Sequence, residues 1–346
     1  MSMGEIISTA MGFARICLLG DHCDWANRQV IASSIDRRIT ATAEKRDDYT
    51  INVRASNRFH GETEEASFDL QEAPDMPISN SSLRYVNAVV VAILERFDEI
   101  GNGADINIDS NVPMRKGLSS SAAICIAASG VLSKLWGLDM GPDDLVRISY
   151  RAERGILGIA CGMMDQTASV FDHPLFMDFS RDFDYTPIRL KRGLPIVIAD
   201  VGGERNTRLI LNTLNRYYLE EKDPLIVKTL GEDIPGIVRR ARKEMETSCR
   251  LDVLGSLMNQ NQECYDRGLR PYCESELGSP LLYRALEAAR EGGALGAKWT
   301  GAGGSGSIIA LAPDLEFRDE LAEKLERCCR SVILTSIGEF EGVQTN

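Results

Sequence analysis

Gly20-Asp-His-Cys-Asp-Trp25 places two carboxylates and an imidazole within four positions, at the end of an apolar run. That density of donors and acceptors suits recognition of a polyol, because each buried hydroxyl needs a partner. A solvated loop has the same composition. In Gly158-Ile-Ala-Cys-Gly-Met-Met-Asp-Gln166 a single acid, Asp165, stands among apolar and small residues. A carboxylate buried in such company must be paired or must serve a purpose. Arg15, in the apolar run ahead of the polar cluster, is the cation to set beside it. A cation keeps a neighbouring carboxylate ionised at neutral pH, the state that accepts or orients a hydroxyl proton. A buried Arg–Asp pair with a structural role alone is the competing reading.

Two glycine-rich blocks suggest what such a proton transfer would serve. Pro113-Met-Arg-Lys-Gly-Leu-Ser-Ser-Ser-Ala-Ala123 sets a glycine turn and three serines directly before a long apolar stretch. The first N–H groups of a helix lack intrahelical partners, and the aligned peptide dipoles favour an anion there by roughly 0.3–1 kcal/mol. Gly117 lets backbone approach a phosphate, and the hydroxyls of Ser119, Ser120 and Ser121 can donate to phosphate oxygens or reach a Mg²⁺ ion. Capping alone would need one serine, not three. Arg115 and Lys116 either add cationic contact or are simply solvated. The block is not a Walker A loop, because GxxxxGK[ST] is absent. Thr300-Gly-Ala-Gly-Gly-Ser-Gly306 carries four glycines in six positions, a pattern shared by ligand-approaching backbone and by tight strand-to-strand turns.

The elements that position these blocks follow from periodicity. Apolar or alternating runs at Phe13–Gly20, Arg38–Glu44, Tyr49–Val53, Ala66–Leu70 and Ala104–Ile108 predict strands. Leu83–Phe97, Ser120–Trp136 and Pro142–Arg154 predict helices. Beyond Arg181–Arg192, strands are expected at Pro195–Val201 and Ser307–Leu311, and helices at Asn206–Glu221, Ile237–Ser248, Asp252–Gln262 and Pro280–Glu291. The class is α+β, with an N-terminal domain over residues 1–185 and a C-terminal domain over 186–346.

Composition narrows the partners. The 39 basic and 51 acidic residues leave a net charge of −12, which repels nucleic acid and anionic membranes at long range. An anionic ligand must therefore be held by a local site. Nine scattered cysteines without a CxxC pair are expected as reduced thiols, and three distant histidines argue against a structural metal. No apolar run of membrane-spanning length and no leader-like start is present, so a cytoplasmic location is expected.

In this order the blocks resemble the three motifs of the GHMP kinase superfamily, which includes galactokinase, homoserine kinase, mevalonate kinase and phosphomevalonate kinase. Pro113–Ala123 resembles the phosphate-binding motif and Lys298-Trp-Thr-Gly-Ala-Gly-Gly-Ser-Gly306 the C-terminal glycine motif. Gly12–Trp25 resembles the galactokinase signature GRVNLIGEHTDY, and Ala152–Gln166 resembles the galactokinase segment AEHxFxGxxCGIMDQ. The resemblance implies a two-lobed fold with the active site in the cleft between lobes. It implies ATP and Mg²⁺ as cofactors and phosphorylation of a monosaccharide or sugar-like metabolite, at the anomeric hydroxyl. Asp165 then corresponds to the catalytic aspartate and Arg15 to its partner. Asp21, His22, Asp24 and Gly162 correspond to sugar contacts. Gly117, Leu118, Ser119, Ser120, Ser121, Gly301, Gly303 and Gly304 correspond to nucleotide contacts, and Ser120, Ser121 and Glu153 to metal positions. Departures widen the acceptor beyond D-galactose: Asp21 stands for a glutamate, Cys23 for a threonine, Trp25 for a tyrosine, Ala26-Asn-Arg28 for Asn-Gly-Gly, and Asn212 or Thr213 for a sugar-contacting tyrosine. The alternatives are a kinase of another branch, such as a mevalonate type, and a non-catalytic sugar or ATP sensor.

Overall fold

A computed structural model describes residues 7–58, 61–75, 81–97, 100, 102–113, 116–181 and 183–338. Strands β1 (Ser8–Leu19), β2 (Gln29–Lys45), β3 (Thr50–Asn57) and β4 (Glu62–Asp69) precede helix α1 (Arg84–Leu94). Strand β5 (Ala104–Ser110) leads to helices α2 (Ser120–Trp136), α3 (Pro142–Tyr150) and α4 (Met164–Val170). Strands β6 (Leu175–Asp178), β7 (Asp184–Pro187) and β8 (Leu194–Asp200) follow. Then come α5 (Thr207–Asn215), α6 (Pro224–Lys228), α7 (Ile234–Glu246), α8 (Leu251–Gly268), α9 (Glu274–Leu277) and α10 (Pro280–Glu291). The described chain closes with β9 (Gly296–Thr300), β10 (Ser307–Leu311), α11 (Leu315–Glu326) and β11 (Ser331–Ile337).

Two compact units form, and neither is one continuous stretch. The first comprises the described residues of Met1–Ala14, Arg37–Met114 and Ser119–Phe171; the second comprises those of Arg15–Asp36, Arg115–Leu118 and Asp172–Asn346. A cut in sequence at 185/186 therefore separates the chain differently from its spatial contacts. The chain passes from one unit to the other inside β1, inside β2 and between Leu118 and Ser119.

In the first unit β3 pairs antiparallel with β4 and parallel with β5, and β5 pairs antiparallel with the second half of β2, Ile39 facing Ser110. Helices α1, α3 and α4 surround α2. That central helix is buried from Ala122 to Ser133, as expected of a helix that is apolar on all sides. Two left-handed residues, Gly117 at φ 80° and Ser119 at φ 59°, turn the chain into α2, and Gly137 at φ 66° ends it.

In the second unit the first half of β2 pairs with β6, and β6 with β7. A separate antiparallel sheet runs β11-β8-β10-β9. Its central strand β8 is buried at every position, which fits a strand flanked on both edges and covered by α11. Helix α8 lies along β9, closing that edge of the sheet. The predicted helix at Pro142–Arg154 is α3 followed by a π turn over Arg151–Ile156. The predicted helix at Asn206–Glu221 is likewise α5 plus a π turn over Arg216–Glu220, with the Asn206 side chain accepting from the Leu209 N–H at 2.9 Å. Among the described residues no helix is long and apolar enough to cross a membrane.

Candidate active site

The second unit brings the two glycine blocks into contact. A methyl group on Gly117 would lie 2.9 Å from the Thr300 carbonyl oxygen, and one on Gly301 would lie 3.1 Å from that of Gly117. Both residues have positive φ, 80° and 79°, so only glycine meets the space and the conformation together. Arg15 fixes the first block by donating from its guanidinium to the Gly117 carbonyl at 2.6 Å and from its backbone N–H to that of Leu118 at 3.0 Å. Lys116 is not a phosphate-facing cation: its ammonium pairs with Asp200, at the end of β8, at 2.7 Å, and Ser307 donates to its carbonyl at 2.6 Å. Arg115, the other expected cation, lies outside the described residues.

The polar turn after β1 belongs to the same cluster. Asp21 has no exposed surface; one carboxylate oxygen accepts from the Gly301 N–H at 2.5 Å, the other from Lys298 at 2.5 Å and from the Tyr265 hydroxyl at 2.7 Å. His22 stands at φ 69°, and its Nδ1 lies 3.2 Å from the Trp25 indole N–H. Since indole only donates, Nδ1 is the acceptor, and Nε2 carries the proton that meets the Ala302 carbonyl at 3.2 Å. Burial lowers the His22 pKa to about 4, against the opposing field of Asp21, so the ring is neutral at pH 7. Asp24 is buried as well.

The first unit holds the serine block and the second acidic group. Ser119 occupies the N-cap position of α2 yet makes no side-chain cap bond, and its buried hydroxyl has no partner among the described residues. The serine is thus not spent on capping. Glu153 is buried in the π turn over Arg151–Ile156, where the Gln166 amide donates to its carboxylate at 2.5 Å. Such π turns recur at functional sites. Asp165 is half-buried in the first turn of α4, immediately before that glutamine, and Gly162 is buried three residues earlier. No cluster of three or more His, Cys, Asp or Glu suited to a metal exists among the described residues. A Mg²⁺ ion carried by a nucleotide needs no such cage, since phosphates and waters supply most of its ligands.

Residues 84–173 match the family model described as GHMP kinases N terminal domain, and residues 245–331 match GHMP kinases C terminal. The mevalonate kinase of Thermococcus onnurineus (strain NA1) is 30% identical over 338 residues, covering 96% of both chains. The chain belongs to the GHMP kinase family. The galactokinase of Haemophilus influenzae is 30% identical over 347 residues, covering 90% of this chain and 86% of its own. The crystal structure of Lactococcus lactis galactokinase complexed with galactose superposes with a TM-score of 0.79 at 23% identity, covering 96% of this chain and 94% of that one.

Members of this family are small-molecule kinases, so the protein is one too, and the expected α+β class is met by a mixed fold with two sheets, that of the GHMP kinases. In this GHMP kinase Arg15, Asp21, His22, Gly117, Leu118 and Gly301 are joined within the second unit by the bonds and close approaches above, Gly303 and Gly304 following in the same loop. Ser119, Ser120, Ser121, Glu153, Gly162 and Asp165 lie in the first. Three neighbours of the glycine loop, one of them Lys298 at the head of the glycine motif, had no role assigned from the sequence. Arg205, just before α5, donates to the Gly303 carbonyl at 3.2 Å, and a methyl on Gly117 would stand 3.2 Å from its guanidinium. Lys298 is hidden in the apolar-looking run before the glycines, and Tyr265 on α8 stacks on Trp299 with ring centroids 4.6 Å apart. Only a charged residue inside a buried strand could have drawn attention to Lys298.

Proposed function

We propose that this GHMP kinase transfers the γ-phosphoryl group of Mg-ATP to the hydroxyl of a mevalonate-type acceptor. Asp21 carries the choice of mevalonate over a sugar. In the galactokinase-like reading this carboxylate takes a substrate hydroxyl, but here it has no exposed surface and its two oxygens are bonded to Lys298, Tyr265 and Gly301. Freeing one partner of a buried ion pair costs about 3–5 kcal/mol, more than one neutral hydrogen bond to a sugar returns. The near end-to-end match to the Thermococcus mevalonate kinase supports the same choice.

In this reading the acceptor oxygen attacks the γ-phosphorus as the bond to the ADP oxygen breaks, and the hydroxyl proton passes to Asp165. The segment Gly117–Ser121 and the residues Gly301, Gly303 and Gly304 hold the nucleotide, and the unpartnered Ser119 hydroxyl is a donor suited to a phosphate oxygen. Bound metal would neutralise charge on the β- and γ-phosphates; Glu153 and Ser120 or Ser121 are the hard oxygen donors that would hold it. Asp24 and Gly162 are the acceptor contacts kept from the galactokinase-like assignment; His22, also assigned there, has its two ring nitrogens on Ala302 and Trp25 instead.

A sugar acceptor, phosphorylated at its anomeric hydroxyl, is the second reading. The segment Ala152–Gln166, with its Cys-Gly-Met-Met-Asp-Gln ending, and the Haemophilus galactokinase favour it. ADP release from Mg-ATP against mevalonate, hexoses, pentoses, uronic acids and amino sugars separates the two. Turnover on mevalonate, lost in Asp165→Asn, is the expected result. Turnover on one sugar alone selects the second reading, and a sugar that raises Tm without any turnover replaces both with a sensor.

A further inference from the structure

The polar turn Gly20–Trp25 and the loop Gly301–Gly304 grip each other through charges that never meet solvent. Asp21 and Lys298 are both fully buried. The Lys298 ammonium donates to Asp21, to the Cys17 carbonyl at 3.2 Å and to the Trp299 carbonyl, so its three protons have three acceptors. The second Asp21 oxygen takes the Gly301 N–H, and His22 donates to the next carbonyl, that of Ala302. Helix α8 completes the frame: Asn261 accepts from the Gly20 N–H at 3.0 Å, Gln262 from the Trp299 N–H at 3.0 Å, and Tyr265 donates to Asp21.

A buried ion pair is a poor way to gain stability, because the desolvation of both charges offsets their attraction. What this pair fixes is geometry. With the Gly301 N–H and the Ala302 carbonyl each bound to a neighbouring residue of one turn, the peptide planes entering Gly301 and Gly303, at φ 79° and 81°, are set. Asp21 and His22 face the glycine loop rather than an open pocket, and both are almost wholly buried.

We infer that Asp21, His22 and Lys298 are positioning residues that set the nucleotide-binding conformation of the Gly301–Gly304 loop, and that Asp21 does not contact the phosphoryl acceptor. This rests on the reading that the loop contacts ATP. Calorimetric titration with Mg-ATP, which needs no acceptor, and steady-state KM values for both substrates test it on Asp21→Asn, Lys298→Met, the charge-free double variant, and His22→Gln. The expected result is a rise of at least about tenfold in the ATP Kd for Asp21→Asn and for Lys298→Met, with acceptor KM changed less than about threefold. The double variant recovers most of the lost Tm, because no lone charge is buried, yet keeps the weakened ATP binding. Should either single variant fail to fold, the double variant and His22→Gln give the same readout. Unchanged ATP affinity in these variants overturns the inference. So does an Asp21→Asn effect confined to acceptor KM. A wild-type protein that binds no ATP instead overturns the kinase reading on which the inference stands.

Discussion

At the scale of single residues, the protonation of His22 gives a pH dependence with a definite sign. Its pKa lies near 4 in the folded protein and near 6.5 when unfolded, so between those values the unfolded chain binds more protons. Stability from this group is complete above pH 6.5 and falls, by up to about 3 kcal/mol, as the pH drops toward 4. Denaturant midpoints measured from pH 7.5 to 4 should fall less steeply in His22→Gln than in the wild type. Parallel curves would mean that the buried ring does not resist protonation. Ser119 supports a different expectation. Its hydroxyl is buried without a partner and caps nothing, so Ser119→Ala should leave Tm unchanged or slightly higher while kcat/KM for ATP drops about tenfold. A loss of about 1 kcal/mol in stability would mark it as an ordinary cap after all. Asp165→Asn should cost about 10²–10⁴ in kcat with ATP affinity within threefold, as removal of a general base does. Calorimetry beside ADP-release kinetics reads both quantities.

Elements decide how accurately these residues are held. Gly117 and Gly301 press their backbones together in left-handed conformations, so a methyl group on either meets a carbonyl oxygen and pays the left-handed penalty of roughly 1–2 kcal/mol. Gly301→Ala should therefore lower both Tm and ATP affinity, whereas Gly137→Ala, left-handed but with open space around it, should lower Tm alone. Thermal melts with and without Mg-ATP distinguish the two. Helix α8 acts on the same loop from behind. Its Asn259, Asn261, Gln262 and Tyr265 take hydrogen bonds from, or give them to, Ala297, Gly20, Trp299 and Asp21, turning the cover over β9 into a polar template. The sequence offers Asn259-Gln-Asn-Gln262 as an ordinary hydrophilic stretch. Only the packing of the helix against the end strand makes its amides the partners of the site.

Across the whole molecule, the nine cysteines are free thiols, and six of them, Cys17, Cys23, Cys125, Cys249, Cys264 and Cys273, are buried, with burial pushing each thiol pKa up. Cys161, Cys328 and Cys329 are partly exposed, and Cys329 is itself pushed up to about 12 by burial and by its neighbour Cys328. Intact-mass analysis after brief alkylation at pH 7.5 should show no more than about three modified thiols in the native protein and all nine in denaturant. Rapid labelling of more than three would contradict the packing of these cores. The sequence by itself determined much of this protein. Periodicity located α2, most of β1 and β8, and the cores of α7, α8 and α10. Glycine and serine blocks at helix and strand ends marked the segments proposed to hold the nucleotide, because anion binding uses free backbone N–H groups at such ends. Strands β6, β7 and β9 carried no expectation, since runs this short or this uniformly buried lack the alternation that betrays a strand, and β11, whose burial does alternate, carried none either. Helix α11 carries inward Leu321, Ala322 and Leu325, a helical spacing that is legible in the sequence. Tertiary structure alone decided what the charges do. Lys116 faces Asp200 and Lys298 faces Asp21 across separations of 84 and 277 residues in sequence, and no local pattern records which distant group will be the nearest one once water is excluded.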